Sequence, residues 1–221
     1  MNLRVATLAA ALGIVAVFVL RTAATFSSQL FTHPVVAQAG VWTHLFSTAA
    51  MLWFFVAFFL EMTDPSRPAL RRAAATAAAG AVIAFLVPLQ TLLRIAGIAP
   101  FSGFVRSPWL EPIAPLIATV AILVFFAVCR RDLIRSEEAQ LRDAAGAAMW
   151  AYALVTVLNL VVLALYMSSG ELRWLTQRGP MVAWITLPLV AAGLAAVLYF
   201  FVMLSRHLAE LSAHRSTIGY D

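Results

Sequence analysis

Seven side chains carry what chemistry this sequence offers: Arg21, His44, Gln90, Arg94, Glu111, Asn159 and Tyr166. Each lies in or beside an apolar block. Gln90 and Arg94 are spaced i,i+4, so they share one face of a helix. His44 begins a second stripe with Ser47 and Thr48 at i+3 and i+4. Tyr152, Asn159 and Tyr166 recur every seven residues, the spacing of a bundle seam. Arg21, Arg94 and Glu111 are expected to form an ion pair or triad with positive excess, which suits an anionic group such as a carboxylate, a phosphate or a lipid headgroup. Gln90, Asn159 and Tyr166 would complete such a pocket.

The elements that must position these residues follow from composition. The chain has 221 residues, 63% hydrophobic and 11% charged. A soluble domain carries about 25% charge to cover its surface, so most of this surface faces something other than water. Six apolar blocks span about 5–25, 43–62, 72–98, 113–130, 144–168 and 181–206. Each is long enough to cross a hydrocarbon core of about 30 Å. The expected fold is therefore all-α: one integral membrane domain, a bundle of six transmembrane helices.

Arginine distribution sets an expected orientation. All 15 basic residues are Arg. Ten fall at the N-terminus, the 61–72 and 130–143 connections and the C-terminal tail; five fall on the alternate side. Cytoplasmic loops hold the basic excess, which places both termini in the cytoplasm and the protein in the plasma membrane, the inner membrane of a bacterium. Trp42, Trp109, Trp174 and Trp184 then form a belt at the outer interface. The AQA at 37–39 lies too far beyond the first apolar run for a signal-peptidase site, so helix 1 reads as a retained span.

By depth along the helices, the inner half of the membrane is nearly empty of polar groups. The outer half gathers all seven candidates with Ser47 and Thr48. An unpaired polar group in hydrocarbon costs several kcal/mol, so the stripes are expected to turn toward the bundle and converge. Pro88 should bend helix 3 and free a backbone carbonyl near Phe85 or Leu86.

Other chemistries lack their residues. His44 is the one histidine near membrane depth, so a bis-histidine haem site is not expected. Cys129 is the single cysteine and has no metal-ligand spacing. There is no GxSxG, no HExxH, no embedded aspartate pair and no phosphate loop, so no catalytic residue, no metal site and no cofactor is expected. The arginines sit at helix ends without interleaved aromatics, which argues against nucleic acid.

Two segments offer contacts to other molecules. The 130–143 stretch mixes both signs without Gly or Pro and reads as helical extensions laced with ion pairs. The 204–215 tail, LSRHLAELSAHR, reads as an extension of helix 6. A partner protein would bind at these two places, and membrane lipids along the rest. A repeat is also visible: LRRAAATAAAG at 70–80 resembles LRDAAGAAMWA at 141–151, and VFFAV at 124–128 echoes FFVAF at 54–58. Two similar hairpins would form a parallel repeat, as in some transporters.

The functional expectation is a non-enzymatic binding, sensory or accessory membrane protein with an outer anion or headgroup pocket. A small transporter or flippase working as an oligomer is the alternative, and a structural subunit of a larger membrane complex is a third.

Overall fold

The computed structural model describes residues 2–26, 34–61, 67–97, 110–133, 139–169 and 179–218. These form six α-helices and, among the described residues, no strand: α1 (Leu3–Phe26), α2 (Pro34–Glu61), α3 (Pro68–Ile95), α4 (Leu110–Leu133), α5 (Ala139–Ser169) and α6 (Gly179–Ile218). Five helices, all but α5, carry a described stretch long and apolar enough to cross a membrane.

Helix ends follow local chemistry. Pro34 and Pro68 open α2 and α3, the position where a missing N–H is harmless and φ is already helical. α3 stops before Gly97, whose φ of 70° suits only glycine comfortably. The expected start of helix 2 at Thr43 is corrected: the helix begins at Pro34, because Pro34 starts a helix there instead of breaking one. α6 has 40 residues, a length of about 60 Å, so its backbone runs through the 204–215 tail as expected. In the 130–143 segment the helices cover residues up to Leu133 and from Ala139; residues 134–138 lie outside the described set, as do residues 62–66.

Each helix packs on its neighbours in sequence, and α1 also packs on α6. The six helices therefore close into an antiparallel ring. One end carries Leu3, Glu61, Leu70, Cys129, Leu141 and Leu204; the other carries His44.

The repeat seen in the sequence is threefold, one copy more than expected. α1–α2, α3–α4 and α5–α6 are three hairpins in register. In the odd helices, Leu3, Ala6, Thr7 and Ala10 correspond to Leu70, Ala73, Ala74 and Ala77, and to Leu141, Ala144, Ala145 and Ala148. All twelve are buried. In the even helices, Met51, Phe54, Phe55 and Phe58 correspond to Ile122, Phe125, Phe126 and Cys129, and to Val197, Phe200, Phe201 and Leu204. These twelve are buried too. Small residues on the odd helices let the even helices push large rings inward.

The three Phe pairs meet at the centre of the ring. The second ring of each pair meets the first ring of the next even helix: Phe55–Phe125 at 5.1 Å, Phe126–Phe200 at 5.0 Å and Phe201–Phe54 at 5.0 Å. Interplanar angles of 78°, 88° and 81° make all three edge-to-face. Each such contact contributes about 0.5–1.5 kcal/mol beyond burial. At the Leu3 end, Glu61 Oε1 accepts from the Leu3 backbone N–H at 3.0 Å. A carboxylate from α2 thus caps the positive end of α1. Arg71 sits over the Phe59 ring at 4.8 Å. The ion pairs Arg131–Asp132 (3.6 Å) and Arg142–Asp143 (3.2 Å) join sequence neighbours near the surface.

Candidate functional site

On the His44 side of the phenylalanine layer the ring is not filled. A cavity of about 550 Å³ opens there, walled by all six helices. Its base is set by Met51, Ile122 and Val197, the three equivalent residues just above the Phe pairs. The walls are mainly apolar: Ile14, Val17 and Phe18 from α1; Ala81, Ala84 and Val87 from α3; Leu154, Val155 and Leu158 from α5; Leu187, Leu189, Val190 and Leu194 from α6. Polar side chains are few: Thr22, His44, Ser47, Thr48, Thr119 and Tyr152.

Three glycine contacts help shape this wall. A Cβ on Gly13 would lie 2.8 Å from Ser47 Cα, so α1 and α2 approach backbone to backbone. A Cβ on Gly80 would lie 2.7 Å from Ala121 Cβ, which fixes α3 against α4. At Gly193 the nearest group is Ala151 Cβ at 3.7 Å, an ordinary contact.

The His44, Ser47 and Thr48 stripe faces the cavity along its whole length. Thr48 Oγ1 donates to the His44 and Leu45 carbonyls, both at 3.0 Å, and Thr119 Oγ1 donates to the Leu116 carbonyl at 3.0 Å. These hydroxyls use their protons within their own helices. Tyr152 lies at the base with its ring 5.4 Å from that of Phe126.

Gln90 is half-buried, hydrogen-bonded or otherwise engaged, and not among the cavity walls. The reason is helical drift. Ala81, Ala84 and Val87 step by three residues, and each step turns the face by about −60°. By Gln90 the drift has left the cavity behind. Arg21, Arg94, Glu111, Asn159 and Tyr166 have helical backbone, but their side chains lie outside the described set. Their register can still be read. Residue 21 follows Val17 by four and Ile14 by seven; residue 111 precedes Pro115 by four and Ala118 by seven. Residue 159 follows Val155 by four, and residue 94 follows Val87 by seven.

The cavity's apolar walls and its closed base go beyond what was expected from the sequence. The signal for the base was present as the Phe-Phe pairs at 54–55, 125–126 and 200–201. Among the described residues, no group of three or more His, Cys, Asp or Glu side chains could hold a metal. The site is a blind, mainly apolar chamber with a sparse set of hydrogen-bonding groups. No known protein family, curated protein or solved structure matches this chain.

Proposed function

We propose that this chain is a non-enzymatic, multi-pass membrane protein that holds a lipid-like amphiphile in the chamber on its His44 side. The observation that carries the reading is the chamber itself. A pocket of about 550 Å³ with mostly aliphatic walls suits the hydrocarbon part of a ligand, since pockets of this size and lining take small apolar molecules oriented by a few polar groups. In this reading all six helices span the plasma membrane, both ends are cytoplasmic, and the chamber faces the outer leaflet.

The headgroup is anionic and lies at the mouth. Arg21 and Arg94 supply the positive charge, Glu111 fixes their geometry, and Asn159 and Tyr166 add neutral hydrogen bonds. The support is register: residues 21, 94, 111 and 159 each continue, by four or seven residues, from a residue on the chamber wall. Arginine is suited to this task because its planar fork meets phosphate or carboxylate with two parallel hydrogen bonds. A partner would read occupancy through the 130–143 and 204–215 segments.

A transporter or flippase is the second reading, favoured by the repeated hairpins. It would have to open the phenylalanine layer, whose six rings are all buried. A structural subunit is the third; it predicts loss of the chain when its partner is absent.

Native mass spectrometry of the protein, extracted gently from its own membrane, tests the leading reading. Wild type is expected to retain a lipid-sized mass. Arg94→Ala should lose it at least about ten-fold, the scale of one charge-assisted contact. Ala84→Trp, which fills the chamber, should lose it entirely. A bare wild-type chain, or a mass that Ala84→Trp keeps, would overturn the reading.

A further inference from the structure

The threefold repeat gives the chamber an internal reference, because equivalent positions on three helices can be compared at one depth. At the level above the base, the odd helices present Ile14, Ala81 and Tyr152; one turn outward they present Val17, Ala84 and Val155. At both levels α3 has the smallest side chain. The even helices present Thr48, Thr119 and Leu194 at one equivalent position. The two threonines stand on α2 and α4, and these are the helices that flank α3 in the ring. The leucine stands on α6, on the far side. The departures from threefold symmetry therefore coincide. The chamber has its smallest side chains toward α3, is polar on both sides of α3, and is aliphatic toward α6.

The two threonine hydroxyls beside α3 share one character. The Thr48 hydroxyl spends its proton on the His44 and Leu45 carbonyls, 3.0 Å from each, so toward the chamber it presents lone pairs. Pro88 removes the usual intrahelical donor from one carbonyl of α3. It is buried inside α3 and has no N–H to give to the carbonyl four residues earlier, which belongs to Ala84 and not, as expected from the sequence, to Phe85 or Leu86. Ala84 itself lines the chamber. A recess whose groups accept hydrogen bonds is complementary to a donor.

We infer that the buried end of the occupant carries a hydroxyl group, seated beside α3 and donating to Thr48 Oγ1 or the Ala84 carbonyl; the occupant belongs to the class of lipid alcohols. This rests on the proposed occupancy of the chamber by a lipid-like molecule and specifies its chemistry. The aliphatic side toward α6 takes the adjoining hydrocarbon. An ether or a plain hydrocarbon of the same length fits the space but leaves the acceptors unmet, and unmet buried acceptors discriminate by about ten-fold per hydrogen bond.

The test is a competition between 1-dodecanol and dodecyl methyl ether, added in equal amounts to the full chain in detergent and read by native mass spectrometry as the ratio of the two bound masses. Wild type is expected to favour the alcohol about ten-fold. Thr48→Val removes one acceptor at nearly constant shape. Pro88→Ala restores the N–H that occupies the other. The double variant is expected to bring the ratio near one while still binding the ether, which shows that the chamber is intact. Equal binding of alcohol and ether by wild type overturns the inference without any variant, and so does a preference that survives in the double variant. If wild type retains a native lipid that Ala84→Trp loses, yet shows no alcohol preference, the hydroxyl assignment falls and the proposed function stands. If wild type takes up neither probe and retains no native lipid, both fall.

Discussion

Gly13 and Ser47 touch so closely that a single methyl group has no room between them: a Cβ on Gly13 would sit 2.8 Å from the Ser47 Cα. Ser47 is part of the chamber wall. Gly13→Ala must therefore push α2 away from α1 and displace the hydroxyl stripe with it. Backbone cannot yield as a flexible side chain can, so the loss is expected to reach about 1–3 kcal/mol, more than alanine's gain in helix propensity of about 1 kcal/mol. Gly193→Ala meets only an ordinary 3.7 Å contact and should be neutral or slightly stabilising. Unfolding of the two variants in detergent checks the contrast; equal stability would show that the Gly13 contact does not hold the wall.

The phenylalanine layer makes a second expectation. Phe126 is fully buried, meeting Phe200 at 5.0 Å and Tyr152 at 5.4 Å. Phe126→Ala is expected to cost about 3–5 kcal/mol by the scale of buried aromatic truncations, since close packing stabilises helices in lipid as well. Phe126→Leu should cost much less. If thermal unfolding of the two variants coincides, the ring contacts contribute nothing special.

Cys129 supplies a probe that needs no mutation. It is the single cysteine, 2% exposed, at the position equivalent to Phe58 and Leu204. In the resting bundle it should stay unreactive to a membrane-impermeant maleimide and label fully after denaturation. Rapid labelling in native membranes would mean that the Leu3 end opens, which favours the transporter reading over the binding reading.

The contact from Leu3 to Glu61 predicts a fourth effect. Glu61→Ala removes the carboxylate that caps α1 at 3.0 Å. The expected loss is about 0.5–2 kcal/mol, the range for helix caps. Hydrogen exchange of the first turn of α1 should rise in the variant while the Phe layer stays protected; uniform exchange through both would show that the cap is not local.

Much of this architecture was legible in the residues. Apolar blocks marked all six helices, and the spacing of His44, Ser47 and Thr48 marked one face. Two things were hidden for physical reasons. The first repeat copy, LRVATLAAALG, has four Ala where LRRAAATAAAG has six, and Val5, Leu8 and Leu12 interrupt the run. Its kinship lies in which positions are buried, and burial is a property of the packed ring. Gln90 looked like a partner of the outer pocket because i,i+4 spacing to Arg94 defines a shared face. It does not say which neighbour that face meets. A three-residue stripe drifts around its helix, and only the packing of α3 between α2 and α4 decides where the drift leaves the chamber.

The ring has a consequence for chain order. Because α1 lies against α6 as the other helices lie against their successors, the identity of the first and last helix is a matter of covalent bookkeeping, not of architecture. A circularly permuted chain, opened between the first and second hairpins and joined by a flexible linker across the Leu3 end, would keep every helix beside the same two neighbours.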